Sequence, residues 1–207
     1  MNLFKSFIYT ISLFMAACST LTSCKDCFSE AEIKIIRSQR EVMNVLTIDN
    51  PEEMNILRNI SINIQDKVLQ SSDYELLVKK MISTVTDSSQ DGVGLAGPQV
   101  GINRRVVAVQ RFDKEGEPFE VYANISLEPI GKEMAEGEEG CLSVPGLSGT
   151  VSRYKSVRIT YTDPSTLEIK SEEINDFTAV IFQHECDHLE GILFIDKATK
   201  ITNKDQE

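Results

Sequence analysis

The fold of this chain is organised around residues 177–191, which read FTAVIFQHECDHLEG. Two histidines, His184 and His188, lie four residues apart and therefore on one face of a helix. Three apolar residues continue that face toward the N-terminus: Phe177, Val180 and Ile181. Gly191 follows, and glycine commonly ends a helix in a left-handed conformation. The stretch predicts a helix whose apolar face points into the protein and carries both histidines of the chain.

The two histidines are the strongest candidates for metal ligands. His184 and His188 can reach one ion from adjacent turns, and Glu185 can act as a general base on a water molecule there. An inward-facing pair of imidazoles needs polar partners, which favours metal binding over an ordinary helix surface. A hydrolytic metal site also needs a third protein ligand. Cys141 is the best candidate, whereas Cys186 is two residues from each histidine and points away from their face.

Upstream of this helix the sequence has the patterns of strands and of one further helix. Strands are predicted at residues 106–109, 119–123, 157–161 and 167–169. A helix is predicted over residues 72–88, with Ser72 or Asp73 as its N-cap. Several strands followed by one late helix predict an α+β fold, with mixed or antiparallel strands around a central C-terminal helix.

A glycine-rich segment, residues 92–101, is predicted to be a turn. It lacks the Lys-Ser/Thr pair of a phosphate-binding P-loop, so phosphate binding is a weak interpretation. Gln99, within this segment, is a neutral donor that could face a developing oxyanion.

Composition excludes some classes of protein and partner. The chain has 207 residues, 41% of them apolar and 26% charged, which is typical of one globular domain. The net charge is −11, and no Lys/Arg cluster is present, so a nucleic-acid partner is not expected. Five cysteines, an odd and scattered set, do not indicate a disulfide framework. Nothing in the sequence indicates an oligomeric state.

The N-terminus has the features of an export signal. An apolar run, residues 7–17, follows Lys5 and is too short for a standard membrane span. The sequence Leu-Thr-Ser-Cys ending at Cys24 resembles a bacterial lipobox, and Cys18 is a weaker candidate for the lipidated residue. An uncleaved hydrophobic helix on a cytoplasmic protein is the alternative. The predicted segments are a signal at 1–23, a tether or helix at 24–44, a catalytic domain at 45–197 and a tail at 198–207.

Three motifs, in this order, resemble those of the peptide deformylase family. The family patterns are Gly-φ-Gly-φ-Ala-Ala-x-Gln, Glu-Gly-Cys-Leu-Ser and His-Glu-φ-Asp-His-Leu-x-Gly, where φ is apolar. This chain has residues 92–99, 139–143 and 184–191 in those places. Gly97 stands where the family has its second alanine. The predicted export is a larger departure, because family members usually act on nascent chains inside the cell or organelle.

The resemblance implies hydrolysis of the N-formyl group from peptides that begin with N-formylmethionine. It implies one divalent ion, Fe²⁺ in many members with Ni²⁺ or Zn²⁺ as substitutes. The implied metal ligands are Cys141, His184 and His188. Glu185 would be the general base, and Gln99 with the Leu142 backbone N–H would hold the oxyanion. The implied peptide-binding residues are Gly94 through its backbone, and Val93, Phe177, Val180 and Ile181 around the methionine side chain.

Three other functions are compatible with parts of the pattern. A His-Glu-x-x-His metallopeptidase usually takes its third ligand downstream of the helix, where only a short tail with Asp196, Asp205 and Glu207 follows Glu190. A surface-tethered protein that binds formyl peptides without catalysis is a second possibility. A cysteine hydrolase that uses Cys141 and a histidine is the third.

Overall fold

The computed structural model describes residues 27–89 and 92–203, so the predicted signal segment and both lipidation candidates lie outside the described residues. The helices are α1 Glu30–Ile36, α2 Pro51–Leu57, α3 Asp66–Leu69, α4 Ser72–Val85 and α5 Asp176–Leu189. The strands are β1 Gly94–Ala96, β2 Val106–Gln110, β3 Phe119–Pro129, β4 Met134–Cys141, β5 Val144–Tyr154, β6 Ser156–Thr162, β7 Ile169–Asn175 and β8 Lys200–Asn203. Among these helices none is both long and apolar enough to cross a bilayer.

The strands form two antiparallel sheets, which confirms the α+β class. One sheet has five strands in the order β1-β2-β3-β6-β7, and the other has three in the order β4-β5-β8. A parallel bridge between Ile62 and Arg104 lies outside the named strands. The predicted strands at 106–109, 119–123 and 157–161 are parts of β2, β3 and β6.

Strand β2 shows why the larger sheet is buried on both faces. Val107 and Val109 pack in the cluster that includes α5 residues, whereas Val106 and Ala108 pack in the cluster that includes α4 residues. Successive side chains of a strand point to opposite faces, so a strand covered on both sides is apolar throughout. The sheet therefore lies between α5 on one side and a layer of α1, α3 and α4 on the other.

Two sequence predictions are corrected in the region of α4 and β1. The N-cap of α4 is Ser71, whose extended backbone lets its hydroxyl accept a hydrogen bond from the Tyr74 N–H. Residues 92–101 are more than a turn, because Gly94 pairs with Val109 to begin β1. A 3₁₀ helix, Gly97–Val100, follows it. The pairing is with a strand that comes later in the chain, so no local pattern indicates it.

Both ends of the described chain extend the domain beyond residues 45–197. Residues 24–44 were expected to be a tether or a helix. Helix α1 lies within them; a Ser29–Glu32 capping box begins it, and its Ile36 is fully buried. In the segment expected to be a tail, β8 pairs with β5, for example Asn203 with Leu147. This pairing is made through backbone hydrogen bonds. The short polar sequence of β8 has no apolar pattern that would have predicted a strand.

Helix α5 lies against the larger sheet and also contacts β5. It ends before Gly191, whose φ of 70° is left-handed as predicted. A Cβ at this position would also collide with the Arg58 backbone, so the site requires glycine for two reasons. The prediction that the apolar face of this helix points inward is wrong in its first turn, where Phe177 is 55% exposed. Phe177 packs on Phe112 at the rim of a cavity instead of entering the core.

Candidate active site

Three side chains from two elements meet in one cluster beside the larger sheet. Cys141, His184 and His188 place their ligand atoms within 4.8 Å of one another. The Cys141 Sγ lies 3.3 Å from the His188 Nε2, and the two imidazole rings have centroids 5.1 Å apart. The structure thus brings together the three residues predicted to bind a metal ion.

The hairpin between β4 and β5 carries Cys141 to the helix. Cys141 pairs with Val144 across a two-residue loop, and the register shifts between Gly140 and Cys141. Glu139, two residues earlier on the strand, also faces α5, because its carboxylate contacts His184 as Cys141 contacts His188. The Glu-Gly-Cys order consequently directs both a thiol and a carboxylate at α5.

The carboxylate of Glu139 holds His184 in place. The His184 Nδ1–H donates to the Glu139 Oε2 over 2.8 Å, so the Nε2 atom of His184 is the ring nitrogen left for a metal ion. Arg153 donates to both Glu139 oxygens, at 2.7 and 2.9 Å, and to Asp187 at 2.5 Å. The ion pair between Glu139 and Arg153 is buried.

Burial and these contacts determine the protonation of the cluster. Burial alone would raise the pKa of Glu139, but the hydrogen bonds from Arg153 and His184 outweigh it and lower that pKa to about 2. Burial would likewise lower the pKa of His184, which the Cys141 and Glu139 side chains instead raise well above its ordinary value. Burial lowers the pKa of His188 well below its ordinary value. Coordination of a metal ion by both rings would displace the proton from His184.

Glu185 is buried and aimed at the same cluster. Its Oε2 atom has no hydrogen-bond partner among the described residues, and burial raises the pKa of its carboxyl to about 7. The Glu185 side chain packs directly on Gly94, where an added Cβ atom would lie only 2.9 Å from the Glu185 Cγ. Gly94 is therefore required to make room for Glu185, in addition to the substrate-binding role expected of its backbone.

Gln99 is held in a fixed orientation beside Cys141. Its Oε1 accepts a hydrogen bond from the Ala96 N–H at 2.8 Å, and its Nε2 donates to the Ser143 Oγ at 3.2 Å. The same Nε2 lies 3.6 Å from the Cys141 Sγ, a long contact to a weak acceptor. One N–H of Gln99 is thus directed at the cluster, and its hydrogen bond can shift from the sulfur to a stronger acceptor.

A cavity of about 410 Å³ opens above these residues. Its lining includes all the residues expected to bind the peptide, together with Gln99, Cys141, His184 and Glu185. The expected peptide-binding residues are Val93, Gly94, Phe177, Val180 and Ile181, and Leu142, whose backbone N–H was expected to hold the oxyanion, also lines the cavity. Sequence reasoning did not anticipate two neighbours. Glu138 lines the cavity, and Phe112 supports Phe177 with ring centroids 5.2 Å apart. Neither lies in a residue pattern that would have indicated it.

A model of the polypeptide deformylase family matches residues 42–204, which is most of the chain. This chain belongs to the polypeptide deformylase family. The peptide deformylase of Leptospira biflexa serovar Patoc is 35% identical over 169 residues, covering 77% of this chain and 90% of that protein.

Solved structures of deformylases have the same fold. A Met-Ala-Ser-bound class I type b peptide deformylase from Acinetobacter baumannii matches with a TM-score of 0.66 and 33% identity, over 75% of this chain and 98% of that chain. An actinonin-bound structure from the same organism matches with a TM-score of 0.66 and 34% identity, over 76% of this chain and 99% of that chain.

The residues of this deformylase cluster fit a divalent metal ion. One thiol and two imidazoles are the donors that borderline-soft ions such as Zn²⁺ and Fe²⁺ accept. The partner-less Oε2 of Glu185 lies in the same buried region, where an unpaired carboxylate oxygen is costly unless a water or ion accompanies it. Asp196, the downstream alternative for a metallopeptidase, is instead bound by Arg58 and the Leu193 N–H.

Proposed function

We propose that this chain is a metal-dependent peptide deformylase that removes the N-formyl group from N-formylmethionyl peptides and releases formate. The observation that carries the proposal is the convergence of Cys141, His184 and His188 within 4.8 Å, with the buried Glu185 on the same helix. Membership of the deformylase family supports the same chemistry. A related deformylase has been solved with Met-Ala-Ser bound, which supports a peptide in the corresponding cavity.

Cys141, His184 and His188 would hold the ion, through the thiolate and the two Nε2 atoms. A divalent ion bound there supplies Lewis acidity, which polarises the formyl carbonyl and favours ionisation of a water molecule. We propose Fe²⁺ on the family resemblance, with Zn²⁺ and Ni²⁺ as substitutes, because all three accept a mixed sulfur and nitrogen donor set. Glu139 orients His184 for this role.

Glu185 is the proposed proton carrier. Its carboxylate accepts a proton from the attacking water, whose oxygen forms a bond to the formyl carbon. The carbon–nitrogen bond then breaks, and Glu185 returns the proton to the departing nitrogen, which becomes the free amino group of methionine. The carbon leaves as formic acid, which ionises to formate at neutral pH, so one proton of the water ends on the product amine and the other is released to solvent. The tight packing on Gly94 holds the carboxylate of Glu185 in place for both transfers.

Gln99 and Leu142 are the proposed stabilisers of the developing negative charge. The Gln99 Nε2–H now faces the weakly accepting Cys141 sulfur at 3.6 Å, and an oxyanion is a stronger acceptor. The backbone N–H of Leu142 follows Cys141 directly in the hairpin loop. Preorganised donors of this kind typically contribute about 10²–10³-fold in kcat.

The cavity walls hold the substrate. Val93, Phe177, Val180 and Ile181 form the apolar surface against which the methionine side chain would pack. The backbone of Gly94 would pair with the peptide, since β1 is an edge strand of its sheet.

The direct test is an assay of formate release from an N-formylmethionyl peptide, with enzyme purified without oxygen and analysed for metal. The expected result is one equivalent of metal per chain and formate release that a chelator abolishes and added ion restores. Activity that survives complete metal removal would indicate a cysteine hydrolase instead. Cleavage of unformylated protein chains would indicate a metallopeptidase.

We also propose that the protein is exported and anchored to a membrane by a lipid on Cys24, with residues 1–23 removed as a signal and the domain following the anchor within a few residues, since α1 is already part of it. The support is the sequence: a short apolar run, then Leu-Thr-Ser before Cys24. Cys18 is the second candidate for the lipidated residue. Mass analysis of protein recovered from membranes tests the proposal, because a Cys24→Ser variant should lose both the lipid mass and the membrane fraction.

A further inference from the structure

We infer that the end of the domain formed by Ile60, Ile62 and the Arg104 region rests on a lipid surface, so that the substrate cavity opens away from the membrane. The inference rests on the proposed lipidation of Cys24. It assigns a surface and an orientation that lipidation alone does not specify.

The first step is that the chain is attached to the core from its first described residue. Arg104 donates to the Cys27 carbonyl over 2.8 Å and makes two 2.8 Å hydrogen bonds to the Glu32 carboxylate. The Phe28 ring lies under the same guanidinium, 5.6 Å away, and is itself buried. Cys27, Phe28 and Glu32 precede the part of the chain that the family model matches, residues 42–204, whereas Arg104 lies within it. The extension is therefore a docked segment and not a free tether.

The second step is the short distance from this attachment to the proposed anchor. Cys24 is three residues before Cys27 in the sequence. Three fully extended residues span at most about 10 Å. A lipid on Cys24 must consequently hold the Cys27 and Arg104 region next to the headgroups of the membrane.

The third step is what this region exposes. Ile62 forms a bridge with Arg104, and its carbonyl accepts a hydrogen bond from the Arg105 N–H at 2.9 Å. Ile62 is 55% exposed and Ile60 is 69% exposed, whereas Ser61 between them is buried. Two exposed isoleucines that share one side of an extended segment are suited to insertion into the interfacial layer. The net charge of −11 provides no attraction to anionic lipids, so apolar contact together with the anchor is the proposed mode.

Two elements place the side of the cavity that carries Gly94 and Phe177 at the opposite end. Arg104 and Arg105 precede β2, whereas Gly94 at the cavity pairs with Val109 near its far end. A strand of five residues is about 17 Å long. In α5, the Leu189 carbonyl at the C-terminal end accepts from the Ser61 N–H, and the cavity is lined by residues from Phe177 at the N-terminal end to Glu185. At 1.5 Å per residue, Leu189 is about 18 Å from Phe177 and about 6 Å from Glu185 along the helix, so the cavity extends from the interior toward the Phe177 end.

The test uses the absence of tryptophan from the chain. One full-length variant carries Ile62→Trp at the proposed membrane surface, and a matched variant carries Phe112→Trp, two residues beyond the far end of β2. Both are recovered from membranes in lipidated form and placed in zwitterionic vesicles that contain a bromolipid quencher. Cys24→Ser versions of both are the unlipidated controls. Ile60→Trp is a second reporter in case the first variant folds poorly.

The expected result is that the lipidated Ile62→Trp protein loses about half or more of its emission, because interfacial insertion is about 5–10 Å deep. The Phe112→Trp protein should keep the emission of its unlipidated control. Equal quenching at both ends, or stronger quenching at residue 112, in protein that carries the lipid would overturn the orientation and leave the lipidation proposal intact. Shielding of residue 62 from a soluble quencher without bromolipid quenching would point to a protein partner and would also overturn it. Protein without lipid mass on Cys24 would overturn the lipidation and this surface together, while formate release from the same sample separately tests the enzyme.

Discussion

Two charged clusters in this molecule, each with buried members, differ in whether their buried polar atoms are hydrogen-bonded. Around Arg111, which is 2% exposed, the guanidinium contacts Asp113 at 2.8 Å, Glu172 at 3.0 Å and Glu120 at 3.1 Å. No buried side-chain polar atom of that cluster lacks a partner within the part of the chain that the structure describes.

The cluster on α5 is different. Within the same described residues, the Glu185 Oε2 and the His188 Nδ1 are buried without a partner. A buried polar atom without a hydrogen bond costs free energy of folding, so an arrangement that retains one needs another explanation. The comparison indicates that the Arg111 cluster stabilises the fold. The α5 cluster instead retains polar atoms without hydrogen bonds, in a site where a metal ion, a water molecule and a substrate would bind.

The largest expected difference between the two clusters comes from neutralising one carboxylate in each. Glu185→Gln should lower formate release by about 10²–10⁴-fold, because the proton acceptor is lost while the shape is kept. Metal content should stay at the wild-type level, since Glu185 is not among the three converging ligands. The matched change, Glu172→Gln beside Arg111, should leave the rate nearly unaltered. A Glu185→Gln enzyme that retains wild-type activity would contradict the proton-transfer role.

The second prediction concerns stability. Arg111→Met should lower the free energy of unfolding by about 1.5–3 kcal/mol, because the hydrogen bonds from a buried guanidinium to three partly exposed carboxylates are lost. Arg158→Met is the control, since Arg158 is paired with Glu128 and Glu173 but is 43% exposed, and its loss should cost about 1 kcal/mol or less. Denaturant unfolding followed by circular dichroism measures both. Equal costs for the two variants would show that the Arg111 cluster is not a structural centre.

A smaller effect is expected from tightening the packing around Glu185. Gly94→Ala puts a Cβ inside contact distance of the Glu185 side chain and should displace it. Misplacement of a catalytic group by about 1 Å can reduce the rate by about 10²-fold. The kcat should fall while the metal content stays unchanged. Gly137→Ala is the control, because a Cβ there meets nothing within 4 Å. Unaltered kcat in Gly94→Ala would mean that Glu185 is not held in place by this contact.

The smallest predicted effect is a pH dependence of stability in the Arg111 cluster. Hydrogen bonds from Arg111 lower the pKa of Asp113 below its ordinary value of 3.8. A carboxyl whose pKa is lower when folded stabilises the protein above that ordinary value, and this contribution disappears as the pH falls through the folded pKa. The unfolding free energy of wild type should therefore decrease more steeply than that of Asp113→Asn below about pH 4, by less than about 1 kcal/mol. Parallel curves for the two proteins would contradict the prediction.

Much of the site could be predicted because its residues lie in short local patterns. The spacing of His184, Glu185 and His188 depends only on helix geometry. The strands at 106–109, 119–123 and 157–161 follow from the alternation or continuity of apolar residues, which the layered packing requires. Gly191 could be assigned to the end of α5 because an L-residue rarely adopts its φ of 70°.

What the sequence by itself determined, then, is the α+β class and the prediction that Cys141, His184 and His188 converge, because strand and helix periodicities and the letters of each motif are local features. Only the tertiary structure decided that Glu139 accepts a hydrogen bond from His184 and that Gly94 packs on Glu185. It also decided that Phe177 is exposed at the rim of the cavity and that α1 and β8 belong to the domain. These features arise from contacts between residues far apart in the chain, and long-range contacts are set by the packing of whole elements, which no local periodicity encodes.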